Sequence, residues 1–234
     1  KMTFSAWIKN GDTAGGDNNP GIFSTTSGHD VIRWRNANTN MWASILFGAA
    51  NLISSSYYRD LSAWYHVFVG IDTTQATASD RIKIFINSTQ LEDFITETYC
   101  SQNHDFLFLQ NGETHGIGWD ANQGGRYIDG YMAELHVLDG IAASVTDFGQ
   151  FQNGVWVPKR YTGSYGTNGF YLDFSNSSHF GEDQSGNGND FTDNNLASTD
   201  QMADSPTNNY CTLNPLDNES NLSEGNLTLT GTTT

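Results

Sequence analysis

The chain has 234 residues, of which only 37% are hydrophobic, and it is rich in Gly, Asn, Ser and Thr. This composition favours short strands and long polar loops, and no stretch has convincing helical periodicity, so the sequence predicts an all-β fold. The formal net charge is −16, and residues 161–234 contain ten acids and no Lys or Arg. That charge argues against nucleic acid as a partner, and the lack of an 18-residue apolar run argues against membrane insertion.

The first part of the chain predicts four strands. Residues 2–8 alternate apolar and polar side chains, as a strand with two unlike faces requires. A loop rich in Gly, Asp and Asn spans residues 10–20. Short strands follow at Gly21–Ser24, Val31–Arg35 and Met41–Phe47.

Two strands with strict alternation form the centre of the chain. Val67, Val69 and Ile71 share one face of the run from residue 63 to residue 72, and three isoleucines share one face of residues 81–87. The loop between the two runs has no aliphatic residue larger than Ala. An antiparallel pair joined by a polar turn is therefore expected.

The pattern is weaker beyond residue 87. Asp105–Leu109 and Thr114–Asp120 are predicted as strands, and Leu91–Gln102 is predicted as a polar loop. Gly125–Val137 contains the last long strand of this part of the chain. On a regular strand, residues five apart face opposite sides, so Asp129 and Glu134 are expected to point in opposite directions.

Several of these strands resemble those of laminin-G-like, concanavalin A-like domains. The motifs are TFSAWIK near the start, WYHV and IKIFIN in the central pair, and GRYIDGYMAELHV at residues 125–137. The last of these departs from the family, because Ala133–Glu134 stands where the family has two acids. The resemblance implies a β-sandwich of the jelly-roll type, built from two antiparallel sheets.

The segments YMAELHVLDG, DQSGNGNDF and DSPTNNYCTLNPL resemble large tail or virion-associated proteins of tailed bacteriophages. The likeness covers Phe4 to Leu216. It implies a location on the virion surface, outside the cell, with other virion proteins as partners and a homo-oligomeric state. A bacterial surface glycan would be a further partner.

Three regions are predicted along the chain. Residues 1–174 form the sandwich, residues 175–216 form an Asn- and Gly-rich extension packed on it, and residues 217–234 form a linker toward a further domain. The segment from Tyr171 either supplies the last strand of the sandwich or opens a second module. The first reading is preferred, because residues 175–234 have too few apolar side chains for a core of their own.

The loop Gly181–Asp190 is the best candidate for a metal site. Family resemblance implies a structural calcium here, bound by Asp183 and a carbonyl of Asn187, with Glu134 reaching it from a neighbouring strand. Calcium prefers six to eight oxygen ligands held in such a tight turn. The alternative is a turn that Asx hydrogen bonds hold without metal.

The spacing of cysteine and histidine residues predicts neither a disulfide framework nor a zinc site. Cys100 and Cys211 are either bridged or both free, and the six histidines have no metal-ligand spacing, so zinc is not expected. No serine or cysteine has a nucleophile-elbow context, and no pair of acids has the spacing of a glycosidase strand. The chain is therefore predicted not to be an enzyme.

The loop from Trp119 to Tyr127 is the preferred carbohydrate-binding site. Its candidate residues combine two aromatic rings with polar side chains, and they are Trp119, Asp120, Asn122, Arg126 and Tyr127. Trp42, Tyr57 and Tyr58 are other possible platforms, although aromatic side chains more often serve packing. The favoured function is non-catalytic binding of host-surface glycan. The alternatives are a purely structural decoration of the capsid or tail, and a polysaccharide-degrading enzyme module.

Overall fold

The computed structural model describes residues 1–11, 19–37, 40–47, 49–209, 221–223 and 228–230. Its regular structure is almost entirely β. Its strands are β1 (Met2–Asn10), β2 (Gly21–Thr25), β3 (Val31–Ala37), β4 (Asn40–Phe47), β5 (Ala50–Ser54), β6 (Tyr65–Ile71), β7 (Ile82–Ile86), β8 (Thr89–Gln90), β9 (Phe94–Thr98), β10 (His115–Ile117), β11 (Gly130–Asp139), β12 (Gly149–Gln152), β13 (Val155–Pro158), β14 (Phe170–Leu172), β15 (Asn221–Ser223) and β16 (Thr228–Thr230).

The helical residues of the described ranges form three single turns of 3-10 helix, at Ala78–Asp80, Val145–Asp147 and Ser198–Asp200. None of these turns is long and apolar enough to cross a membrane.

Two six-stranded antiparallel sheets form the sandwich. The first has the strand order β14-β11-β1-β6-β7-β8, and the second has the order β10-β2-β3-β4-β5-β9. The predicted central pair is confirmed, because Val67 lies opposite Ile86 and Ile71 lies opposite Ile82 across β6 and β7. All-β sandwich architecture is therefore confirmed.

The apolar faces of the two sheets enclose one core. Phe4, Ile8 and Val69 project into it from the first sheet, and Ile32 and Trp34 project from the second, each with at most 1% of its surface exposed. The alternation read from residues 2–8 thus identified correctly the face of β1 that points into this core.

Part of the outer face of the first sheet is buried as well, around β1. A hairpin formed by β12 and β13 covers one part of it, with Trp156 donating a hydrogen bond to His66. Residues of the C-terminal extension cover the other end, where the Asp204 carboxylate meets the Lys9 ammonium. Every residue of β1 is buried, so this strand lies in the middle of three layers.

The extension adds no strand to either sheet between residues 175 and 209, whereas β14 does join the first sheet beside β11. Phe191 packs against the sandwich core. In the segment predicted as a linker, β15 pairs with β16. The boundaries between sandwich, extension and linker remain predictions.

The predicted strand Asp105–Leu109 is wrong. Phe106 and Phe108 are buried, as alternation requires, but the backbone turns: Leu109 has φ +64°. Side chains satisfy its amides, with Leu107 N–H donating to Asp30 and Leu109 N–H donating to the His115 ring. A segment that is not a strand can still bury alternate side chains in the core. It can do so when its backbone N–H and C=O groups find hydrogen-bond partners other than a neighbouring strand.

Candidate functional site

The loop predicted to bind carbohydrate is organised around a buried carboxylate. Asp120 has no exposed surface, and its Oδ2 lies 2.9 Å from His29 Nε2 and 3.5 Å from Arg126 Nη1. The backbone closes the turn, because Asp120 N–H donates to Gly125 and Gly124 N–H donates back to Asp120. Asp120 and Arg126 therefore hold the loop together, and Asp120 has no surface to offer a ligand.

Neighbouring β2 and the turn after it fix the loop from the other side. The Ser24 hydroxyl donates to the Trp119 carbonyl at 2.8 Å and accepts from the Ala121 amide at 2.9 Å. Asn122, although exposed, donates its side-chain amide to the carbonyl of Thr26 at 2.8 Å. The sequence gives no sign of these anchors, since Ser24 and Thr26 lie almost 100 residues upstream.

The two aromatic residues of the loop form one apolar surface. Trp119 and Tyr127 stack with their ring centroids 6.1 Å apart and their planes 13° from parallel. Tyr127 is 66% exposed, which is unusual for a large aromatic side chain held by so ordered a loop. Of the five predicted residues, these two present side chains that a sugar ring could stack against.

Trp119 and Tyr127 line a long cleft with a volume of about 2180 Å³. Its lining comes from the loop, from the start of β11 and from the C-terminal extension. Tyr131 on β11 also lines it, whereas Phe174 and Phe191 pack against the hydrophobic core and Phe180 is buried. The cleft combines apolar and polar lining groups, as ligand sites do, and its volume exceeds the roughly 300–1,000 Å³ that is usual for a small-molecule site.

Glu134 also lines this cleft, because a β-bulge redirects its side chain. The register between β1 and β11 shifts between Ser5 and Trp7, and Glu134 itself has φ +50°. Asp129 lines the same cleft. The expectation that Asp129 and Glu134 face opposite sides assumed a regular strand, and the bulge removes that regular alternation.

Two aromatic neighbours hold the Glu134 carboxylate. The Tyr171 hydroxyl donates to Oε2 at 2.7 Å, and His136 Nε2 lies 3.7 Å from the same oxygen. The His136 and Tyr171 rings stack with centroids 4.1 Å apart. Burial alone would raise the pKa of Glu134, but its interactions with His136 and Tyr171 outweigh burial and lower that pKa. Glu134 is therefore a fixed, ionised acceptor at the wall of the cleft.

The candidate calcium loop is held by its own hydrogen bonds. The Asp183 carboxylate accepts from the amides of Tyr171, Ser185 and Asn189, and from the Ser185 hydroxyl. Asn187 donates its side-chain amide to the carbonyls of Gly166 and Gly169.

These contacts agree with the alternative prediction, a turn held by Asx hydrogen bonds without metal. N–H and O–H donors surround the Asp183 carboxylate at the positions where a cation would lie. Glu134 accepts from the hydroxyl of Tyr171, whereas Asp183 accepts from the backbone amide of the same residue. The described residues contain no group of three or more His, Cys, Asp or Glu side chains arranged to hold a metal. This donor set does not fit a calcium ion, and calcium binding remains untested.

Ser5 and His66 form a buried pair that looks like half of a catalytic triad. Ser5 Oγ lies 2.8 Å from His66 Nε2, while the Trp156 indole donates to Nδ1 at 3.1 Å. An indole nitrogen can only donate, so the neutral imidazole carries its proton on Nε2 and donates it to Ser5. This is the wrong direction for activating a hydroxyl as a nucleophile.

Two other predictions concern residues that the structure describes only in part. Cys100 is buried, whereas Cys211 lies outside the described residues, so the disulfide is untested. The Trp42 side chain also lies outside the description. Tyr58 packs on Trp34 with centroids 5.5 Å apart and so serves the core, while Tyr57 is 46% exposed.

Comparison with known proteins gives distant structural likenesses. The sequence matches no family model and no curated protein. A protein from Bacteroides ovatus, named as a candidate carbohydrate-binding protein, is 19% identical with a TM-score of 0.42, over 61% of this chain and 38% of that one.

The enzymatically active domain of tailspike protein 2 from bacteriophage CBA120 is 18% identical with a TM-score of 0.40, over 63% of this chain and 23% of that one. The full-length tailspike gives 19% identity and a TM-score of 0.40, over 63% of this chain and 20% of that one. The chain thus spans less than two fifths of each of these proteins. Likeness at this level does not establish a shared function.

Proposed function

We propose that this chain is a non-catalytic carbohydrate-binding module of a phage virion, which holds host-surface glycan in the cleft between the 119–127 loop and the C-terminal extension. The single observation that carries the proposal is the stacked Trp119–Tyr127 pair at that cleft, with Tyr127 two-thirds exposed. Sugar rings present apolar C–H faces that stack on aromatic rings, and their hydroxyls need acceptors such as the Glu134 carboxylate. The cleft supplies both kinds of group.

Rigidity supports this assignment. Hydrogen bonds from Ser24 and His29 and the ion pair between Arg126 and Asp120 hold the loop, so Trp119 and Tyr127 lose little freedom when a ligand binds. A pre-organised aromatic surface contributes more net affinity than a flexible one, because less ordering opposes binding. The virion context comes from the resemblance of the segments after residue 131 to phage tail proteins.

The absence of catalysis is part of the proposal. The Ser5–His66 pair is buried and carries its proton on the wrong nitrogen for a nucleophile. The Glu134 carboxylate is held in its ionised form, which suits an acceptor or a nucleophile but not a general acid. A carbohydrate-degrading enzyme would need a second acid with a raised pKa across the cleft.

Binding to an array of bacterial surface polysaccharides tests the proposal. Tyr127→Ala should weaken binding on the order of tenfold, as expected for loss of a central aromatic anchor. Trp119→Ala should weaken it similarly. Tyr57→Ala is the matched control, because Tyr57 is also an exposed tyrosine but does not line the cleft. Its binding should equal that of the unaltered chain.

Three outcomes would count against the proposal. Binding lost in Tyr57→Ala but kept in Tyr127→Ala would move the site to another surface. Release of reducing sugars from a bound polysaccharide, abolished by Glu134→Gln, would make the chain an enzyme. Failure to bind any glycan would favour the structural role instead.

One observation favours that structural role as a second candidate. The hairpin of β12 and β13 exposes Phe151 by 63% and Val155 by 61%. Exposed apolar side chains on a covering hairpin suit contact with another virion protein. Phe151→Ser with Val155→Ser should leave glycan binding unchanged, and loss of assembly into particles would identify the hairpin as the contact.

A further inference from the structure

The charge of the cleft narrows the class of glycan that it can hold. Eight acidic side chains line it, among them Glu113, Glu134, Asp173 and Asp190. Of the described residues that line the cleft, none is lysine or arginine. Lys9 pairs with Asp204, and Arg160 lies near enough to Glu134 to help lower its pKa. The sequence has no lysine or arginine after Arg160, so the extension adds none to the cleft.

From this arrangement we infer that the cleft selects neutral or amino-bearing glycans and excludes anionic ones such as uronic acid, sialic acid or phosphate-containing polysaccharides. The inference rests on the proposed function and specifies its ligand. Clefts lined by one sign of charge concentrate the field and repel ligands of that sign. Placing like charges against each other is a recognised means of rejecting wrong partners.

The position of Glu134 strengthens the exclusion. Its bulge turns it toward the cleft, and Tyr171 and His136 hold it there. Interactions with these two side chains lower the pKa of Glu134 despite its burial, and hydrogen bonds from the Ser27 amide and Thr26 lower the pKa of Glu113. Protonation of either carboxyl group therefore costs additional free energy, so both keep their charge when an anionic sugar approaches.

The same carboxylates suit hydroxyl and ammonium groups. A carboxylate only accepts hydrogen bonds, so it pairs with sugar hydroxyls or with the amino group of a deacetylated amino sugar. A sugar carboxylate or phosphate offers only acceptors and would be left unpaired among acceptors of the same sign. Loss of such pairing discriminates strongly between otherwise similar ligands.

The test uses matched oligosaccharides that differ only in charge. Cello-, galacto- and mannooligosaccharides would each be measured in the neutral form, with the primary hydroxyls oxidised to carboxylates, and with those hydroxyls replaced by amines. At low ionic strength we expect each carboxylate form to bind at least about tenfold more weakly than its neutral parent. The gap should shrink as salt is added, since salt screens exposed charges beyond about 8 Å at physiological strength.

A charge-neutralised cleft provides the second measurement. Asp173→Asn with Asp190→Asn should raise binding of the carboxylate forms several-fold relative to binding of the neutral forms, because it removes two of the like charges that line the cleft. Asp60→Asn with Asp147→Asn is the matched control, because it removes the same charge from carboxylates that cap backbone amides in the same way but do not line the cleft.

The outcomes separate the two proposals. Equal or tighter binding of the carboxylate forms by the unaltered chain would overturn the inference while leaving carbohydrate binding intact. An equal gain in the control variant would also overturn it, because net charge rather than the cleft would then be the cause. No binding of any oligosaccharide or array glycan would remove the proposed function, and the inference with it.

Discussion

The two faces of β1 are equally buried and chemically opposite. The inner face presents Phe4, Ala6 and Ile8 to an apolar core shared with the second sheet. The outer face presents Ser5, Trp7 and Lys9 to a layer built from the 149–158 hairpin and the C-terminal extension.

Burial alone therefore does not separate core from surface in this chain. The inner face is stabilised by apolar area removed from water, which needs no partner of particular geometry. Polar atoms on the outer face depend on partners, since an unpaired buried polar group costs free energy. Ser5 pairs with His66 and Lys9 pairs with Asp204, whereas Trp7 Nε1 has no hydrogen-bond partner among the described residues. We expect the inner face to tolerate changes of shape, and the outer face to depend on specific pairs.

The largest expected effect comes from breaking the buried ion pair of the outer layer. Lys9 Nζ lies 2.5 Å from Asp204 Oδ2, with side chains 2% and 3% exposed. Lys9→Met should destabilise the chain by about 3–5 kcal/mol, because it leaves an uncompensated buried charge. Lys9→Met with Asp204→Leu should recover most of that loss, as urea unfolding would measure. Additive losses in the double variant would show that the pair is not coupled.

Ile84→Ala is the matching change on the inner face. Ile84 is 1% exposed and belongs to the core between the sheets. Its truncation should cost about 3 kcal/mol through lost transfer free energy and a residual cavity. This cost should not vary between pH 5 and pH 7, because the change removes no titratable group. Unfolding curves at both pH values check it, and a pH-dependent cost would contradict the contrast between the faces.

Two histidines on the outer face should make stability pH-dependent. Burial, aided by repulsion from His136, lowers the pKa of His66 to about 3, and burial also lowers the pKa of His136 in spite of Glu134. The unfolded state therefore binds more protons below pH 6.5, so stability is full above that pH and falls as the pH drops.

The expected slope is up to about 1.4 kcal/mol per pH unit for each histidine, measured between pH 7 and pH 5, where carboxylates contribute little. Imidazole nitrogen chemical shifts provide an independent check. They should report a neutral His66 ring with its proton on Nε2 throughout this range. A flat stability profile, or a protonated His66 at pH 6, would refute the prediction.

The smallest expected effect concerns the loop around Asp183. Amide and hydroxyl donors already surround its carboxylate. Exchange of millimolar calcium for EDTA should therefore change Tm by less than about 1 °C, since a ligand that does not bind the folded state cannot stabilise it. A rise of several degrees with calcium but not magnesium would establish the metal site that the family resemblance implies.

Local pattern was most informative at the central strands of the first sheet. The alternation in residues 2–8, 63–72 and 81–87 identified three neighbouring strands of the first sheet and their buried face. It failed in the predicted polar loop Leu91–Gln102, which contains strand β9 (Phe94–Thr98). It also failed at two places where the backbone leaves the β region. One is the bulge at Glu134, and the other is the turn at Leu109, both with positive φ. Side-chain alternation with a period of two residues does not reveal an inserted residue. It also does not reveal a segment whose backbone amides bond to side chains instead of to a neighbouring strand.

The loop that carries the candidate site was recognisable from its aromatic and polar composition. The sequence did not show which of its side chains bind a ligand and which hold the loop together. Sequence reasoning grouped Asp120 with the ligand contacts, whereas the structure buries it between His29 and Arg126. Contacts such as Ser24 with Trp119 join residues far apart in the chain, so no local signal precedes them.

By itself the sequence determined the all-β class, the inner face of the central strands and the acidic, lysine- and arginine-free composition of the C-terminal third. These follow from side-chain periodicity and charge, which act residue by residue. The tertiary structure alone decided that the extension returns to cover the polar face of β1, that Glu134 turns into the cleft, and which aromatic rings stay exposed. Those outcomes depend on which distant segments pair, and pairing over such distances is set by the whole packed chain.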